Sequence, residues 1–152
     1  MLIGGVKVAK ANYNSGSHTV YDIKLHFVWI TKYRYPILRG DIALRCRELL
    51  RQGCEVNGIS IIEGHIRPDN VHMLLSIPTT MSAAEIMKKL KGRSSHLLQD
   101  EFPQLKKKYW GQHMWARGYF CGSVGAVSED TIKRYIEEQA LEGENDNFQV
   151  SE

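Results

Sequence analysis

An α+β domain, built as an antiparallel sheet with helices on one face, is the fold that three features of the sequence predict. Residues 21–30 alternate apolar and polar side chains, the pattern of a half-buried strand. Two later stretches, 41–56 and 82–98, carry apolar residues at helical spacing. The runs after each helix are short, β-branched or apolar, and bounded by turn residues. A chain of 152 residues is long enough for one domain with a real core, here expected over residues 19–140.

The elements follow in order. Residues 1–18 mix Gly, Ser, Asn and Lys without a period and predict a flexible leader. From Tyr21 to Ile30, the residues Ile23, Leu25, Phe27 and Trp29 alternate with Lys24, His26 and Val28. Lys32 and Arg34 then interleave with Tyr33 and Tyr35, which suits either a solvated loop or a groove where cations meet phosphates and rings stack on bases. Asp41 is placed to cap a helix that buries Ile42, Cys46, Leu49 and Leu50 and stops at Asn57-Gly58. Ile59 to Ile66 predicts a second strand, and Arg67-Pro68-Asp69 a turn into a third, from Asn70 to Ser76. Ser82 caps the next helix, whose Ile86, Met87, Leu90, Leu97 and Leu98 form the apolar stripe. Its other side carries Lys88, Lys89, Lys91 and Arg93 with no acid between them, a cluster that leans towards phosphate contact. Residues 99–108 predict a charged connection, 113–116 and 119–121 short strands around Arg117-Gly118, and 123–125 a turn. Ser128 opens a last helix with Glu129 and Asp130 in its first turn, running to about Gln139. Residues 141–152 are acidic and polar and are expected to be disordered. Strand, helix, strand, strand, helix, strand is the ferredoxin-like (RRM-like) order, here with an appended helix.

Composition narrows the class. Hydrophobic content of 43% and charged content of 24% are ordinary for a globular protein. No apolar run approaches the roughly eighteen residues of a membrane span, and Met1 to Val6 lacks a basic signal-peptide start. Three cysteines without metal-type spacing argue against a disulfide framework, so a cytoplasmic setting is expected. A net charge of +3 permits a nucleic-acid partner without demanding one.

The residues that carry chemistry sit on the third strand and the last helix. Strand alternation puts Asn70 and His72 on one face, about 7 Å apart. Tyr135 and Gln139, four apart, share a helix face. A divalent cation that accepts imidazole and amide oxygen ligands polarises a phosphodiester, and a phenol with a pKa near 10 needs such help to attack it. A hydrogen-bonded structural histidine and a surface tyrosine account for the same residues equally well.

Five segments, in order and spanning about residues 20 to 139, resemble the single-tyrosine HUH transposases of the 200/605 insertion-sequence type. They are Lys32-Tyr33-Arg34, Pro68 to Pro78 around Asn70-Val71-His72, Leu90-Lys91-Gly92-Arg93-Ser94-Ser95, Trp115 to Phe120, and Tyr135-Ile136-Glu137-Glu138-Gln139. The resemblance implies a ferredoxin-like domain that works as a homodimer with joined sheets. It also implies cleavage and rejoining of single-stranded DNA at the ends of a mobile element, with recognition of subterminal hairpins. On this pattern Tyr135 is the nucleophile, forming a 5′-phosphotyrosine and leaving a free 3′-OH. His72 is the second histidine of the motif and Gln139 the third ligand to Mg²⁺ or Mn²⁺. The tyrosine helix can complete the site of a second subunit. Lys88, Lys89, Lys91 and Arg93 are then hairpin-phosphate contacts, with Lys32, Arg34 and Arg117 as further DNA contacts. The chain departs from the pattern at the first motif histidine, whose place Asn70 holds.

Three outcomes follow from that departure. The Asn70 amide serves as a weaker ligand; His65 substitutes for the missing imidazole; or the protein binds its DNA without cutting. If the turn is the four residues Arg67 to Asn70, His65 stands opposite His72 on one face; a three-residue turn points it away. A ferredoxin-like RNA binder is the remaining class, and it leaves Tyr135 and Gln139 without a role.

Overall fold

The computed structural model describes residues 20–124, 128 and 130–138, with the short paired segments 2–3, 6–7 and 14–15. The expected tail, Gln139, Glu129, Gly125 and most of the expected leader lie outside the described residues. Four strands form the main sheet: β1 (Lys24–Ile30), β2 (Ser60–Arg67), β3 (Asn70–Ser76) and β4 (Phe120–Ser123). They lie in the order β2-β3-β1-β4, every neighbour antiparallel. With α1 (Gly40–Val56) between β1 and β2 and α2 (Ala83–Glu101) between β3 and β4, this is the ferredoxin-like arrangement. A short helix α3 (Pro103–Lys108) and a last helix α4 (residues 130–138) complete it.

The core forms on one face of the sheet because the central strands alternate strictly. Leu25, Phe27 and Trp29 of β1 stand opposite Leu75, Met73 and Val71 of β3. They join Leu49 and Leu50 of α1 and Ile86, Leu90 and Leu98 of α2 in a single buried cluster. Trp29 meets Trp115 edge-on at 5.9 Å between ring centroids. Cys46 and Cys54 are buried thiols and Cys121 is exposed; all three are free.

Several boundaries differ from expectation for identifiable reasons. β1 starts at Lys24, because Val20 and Tyr21 pair instead with Ser15 and Asn14. Arg39, not Asp41, holds the cap position of α1, and Asp41 lies in the first turn, where the helix dipole favours it. Gly58 does end that helix region, with φ +68°. Ser82 caps α2 by accepting from the Glu85 N–H at 3.1 Å. Residues 99–108 are helical rather than a loop: α2 runs on to Glu101, and Pro103 starts α3 at the position where a missing N–H costs nothing. Gln99 is buried, its amide donating to Ser95 Oγ and to the Gln112 carbonyl. Residues 113–116 contribute a single bridge, Thr31 to Trp115, instead of a strand, and the final strand runs over 120–123.

Candidate active site

The face of the sheet away from α1 and α2 carries the polar set. Val28 stands opposite His72 and Ile30 opposite Asn70 across β1 and β3, and His65 opposite His72 across β2 and β3. The turn is therefore the four-residue form, Arg67 pairing with Asn70, and His65 lies on the His72 face. Their rings are 6.1 Å apart. His65 itself is half exposed, and its Nε2 is 2.7 Å from Glu63 Oε1.

Glu63 reaches this face through a bulge. Ile61 pairs with Leu75 on the core side, yet Glu63, two residues on, pairs with Leu74 on the site side, because the register shifts between them. The hydrogen bond from His65 holds the Glu63 carboxyl below its usual range.

The contact between imidazoles in the site involves a residue that the motif reading left out. His26 Nδ1 lies 2.9 Å from His72 Nε2, with the rings 5.2 Å apart. Burial, then the neighbouring His26 and His65, lower the pKa of His72, so it is neutral at pH 7 as a ligand must be. The alternation of residues 21–30 had put His26 on the face opposite Phe27 and Trp29, but only the register of β1 against β3 brings it to His72.

Asn70 is buried, and its amide is oriented by its neighbour. Asn70 Nδ2 donates to Asp69 Oδ1 at 2.7 Å, while Arg34 Nε donates to Asp69 Oδ2 at 2.7 Å. A carboxylate accepts only from the amide N–H side, so Asp69 fixes which prong of Asn70 is its oxygen. Arg34 belongs to a tight turn in which Tyr33 (φ 61°) and Arg34 (φ 55°) both hold left-handed backbone. That conformation is costly for non-glycine residues. It is held by the Arg34–Asp69 pair and by the Thr31 hydroxyl donating to the Tyr35 carbonyl at 2.7 Å.

Helix α4 lies over this same face. Ser128 starts it, its hydroxyl accepting from the Thr131 N–H at 3.2 Å. Ile132, Tyr135 and Ile136 pack on Val28, Ile30 and Phe120, and the Tyr135 ring is 5.9 Å from that of Phe120. Tyr135 thus packs against the cluster that includes Val28 and Ile30, the β1 residues opposite His72 and Asn70. Gln139 falls outside the described residues.

The expected DNA-contacting cations divide into two groups. Lys88, Lys89 and Arg117 are exposed, and Lys88 and Arg117 line a groove of about 540 Å³ between α2 and residues 113–119. Lys91 and Arg93 are engaged within the protein, Arg93 while remaining exposed. Lys91 Nζ donates to the Ala116 and Gly118 carbonyls at 2.9 and 2.7 Å, and burial pushes its pKa down to about 8. Arg93 donates to the Leu49 carbonyl and to Gln52 Oε1. Lys32 sits with its ammonium 5.2 Å from the centre of the Tyr33 ring.

The donor chemistry fits a divalent ion: two imidazole nitrogens in contact and an amide oxygen on the adjacent residue of the same face. Among the described residues, no group of three His, Cys, Asp or Glu side chains has metal-holding spacing.

Comparison with known proteins places these features. Residues 19–139 match the family model described as "Transposase IS200 like". The ISDra2 transposase TnpA of Deinococcus radiodurans is 35% identical over 124 residues, covering 82% of this chain and 89% of the relative. The transposase for insertion sequence element IS200 of Salmonella typhimurium is 38% identical over 128 residues, covering 82% and 84%. A transposase crystal structure from Deinococcus radiodurans superposes with a TM-score of 0.74 at 33% identity, over 83% of this chain and 97% of that one. A REP-associated tyrosine transposase bound to a REP hairpin superposes at 0.50 and 11% identity, over 82% and 66%, a likeness of fold alone.

Proposed function

Because the chain belongs to the IS200-like transposase family, we propose that it cleaves and rejoins single-stranded DNA at the ends of an insertion sequence, with Tyr135 as nucleophile. The observation that supports this reading is the packing of Tyr135 against the small cluster that includes Val28 and Ile30, the β1 residues opposite His72 and Asn70.

In this mechanism the Tyr135 oxygen attacks phosphorus, the bond to the 3′ oxygen breaks, and the strands part as a 5′-phosphotyrosine and a free 3′-OH. The phenol proton is lost as the new bond forms, and the departing 3′ oxygen takes up a proton. Attack by a 3′-OH on the phosphotyrosine reverses the exchange and restores Tyr135. His72 and the Asn70 oxygen would hold Mg²⁺ or Mn²⁺, with Gln139 as a further ligand. When bound, the ion polarises the phosphate and lowers the cost of phenolate attack. His72 supplies a neutral imidazole, and Asp69 keeps the Asn70 oxygen turned away from itself. Exposed Lys88, Lys89 and Arg117 hold the phosphates of a hairpin along the α2 groove. Two copies of the chain act together in this reading, as a homodimer.

A second reading is favoured by one observation: Asn70 stands where the family pattern has a histidine. On that reading the chain recognises the hairpins and does not cut. The two are separated by incubating the protein with single-stranded oligonucleotides spanning the ends of its own element, with Mg²⁺ or Mn²⁺, followed by a denaturing gel. A covalent protein–DNA band that Tyr135→Phe abolishes is the expected result. Binding with no such band under either metal leaves the hairpin-binding reading.

A further inference from the structure

We propose that His26 is a metal ligand: a cross-strand imidazole pair, His26 Nδ1 and His72 Nε2, grips the divalent ion in place of two histidines on one strand. This rests on the metal-dependent reading above and names a donor beyond it.

The argument begins with position. β1 and β3 are the two inner strands of the sheet, so His26 cannot drift relative to His72 without breaking a pairing that runs the full length of β1. The two nitrogens are 2.9 Å apart. Two nitrogens each about 2.1 Å from one ion at a right angle stand about 3.0 Å apart, the spacing this pair has. With ring centroids 5.2 Å apart the nitrogens point at each other, so both rings turn about their side-chain bonds to bring their lone pairs onto one ion. His65 is less suited, because its Nε2 is turned onto Glu63. Asn70 offers only a neutral oxygen, so the second strong donor has to come from a neighbouring strand.

The protons balance. In the ion's absence one ring donates its N–H to the other across the 2.9 Å contact. To expose both lone pairs, that ring moves its proton to its other nitrogen, a change of tautomer with no change in charge. His26 and His72 then both coordinate as neutral imidazoles.

Two imidazoles also shift the preference of the site. Nitrogen donors suit Mn²⁺ and later transition ions better than Mg²⁺, which prefers oxygen. A site with His26 as ligand binds Mn²⁺ well ahead of Mg²⁺, and His26→Phe narrows that gap.

Pulsed electron paramagnetic resonance on the full chain loaded with Mn²⁺ alone tests this by counting imidazole nitrogens bound to the ion. The expected result is two nitrogens in the parent, one in His26→Phe and one in His72→Phe, with Mn²⁺ binding about tenfold weaker in His26→Phe. His26→Gln repeats the test should the phenylalanine variant not fold. A single nitrogen in the parent, retained in His26→Phe and lost in His72→Phe, overturns this inference and leaves the metal-dependent reading intact. Mn²⁺ that binds with no coupled nitrogen, or not at all, overturns both.

Discussion

Asn70 is the residue on which the proposed chemistry turns. Its amide oxygen is a weaker donor than imidazole, so Asn70→His is expected to raise cleavage at limiting Mn²⁺ several-fold, read as covalent adduct on a gel. No gain at any metal concentration would show that this position does not govern the metal. A second expectation concerns His72, whose folded pKa is lowered. Below about pH 6.5, the ordinary histidine value, the unfolded chain takes up a proton that folded His72 resists. Stability therefore falls as pH drops through that value, and a His72→Phe variant lacks that part of the fall. Melting temperatures from pH 7.5 to 5, compared between the two proteins, measure it; parallel curves would refute the assignment. At this scale the sequence was informative wherever local geometry decides. Turn chemistry at Pro68 gave the alternative register that the structure adopts, with His65 opposite His72. His26 was not legible as a site residue, because its contact depends on how β1 slides against β3, some 46 residues away.

Helix α2 shows how an element can carry one pattern and two roles. Four cations line its sequence, and composition treats them alike. The fold separates them: Lys91 secures the segment that presents Arg117, Arg93 ties α2 to α1, and Lys88 and Lys89 face outward. Lys88→Ala and Arg117→Ala are each expected to weaken hairpin binding at all sequences and to lower the salt dependence by about one phosphate contact. Lys91→Ala is expected instead to lower the melting temperature, since the Ala116 and Gly118 carbonyls lose their shared donor. Binding titrations at several salt concentrations, beside thermal melts, separate the two effects. A Lys91→Ala protein with normal stability and lost binding would reverse the assignment. The β2 bulge is the complementary case. Nothing in Ile61-Ile62-Glu63 announces the extra residue, yet it delivers Glu63 to the site face while keeping Ile61 on the core side.

Across the whole molecule the sheet is covered on both sides, but unequally. The helix-packed face buries Trp29, Phe27, Leu49, Ile86 and Leu98 in one large cluster, whereas the other holds Val28, Ile30 and Ile136 with a few half-buried neighbours. The topology and the large cluster were legible in the sequence, because alternation and helical spacing encode them directly. The small cluster was not, since it pairs residues near 30 with residues near 136 and no periodic signal spans that distance. The inequality separates two kinds of opening. Protection of backbone amides from solvent deuterium follows the cost of the cheapest opening that exposes them. Amides of β1 and β3 are released only by global unfolding. Those of residues 132–138 need only the loss of a small contact patch and the Ser128 cap, which contributes about 1 kcal/mol. Deuterium uptake should therefore run at least tenfold faster in α4 than in the central strands, and Ser128→Ala should quicken α4 alone; equal rates would show one cooperative unit. The helix that carries Tyr135 can then lift from the sheet and return while the histidines stay where the strands hold them, so in the proposed mechanism a DNA end is admitted, released or exchanged without risk to the fold.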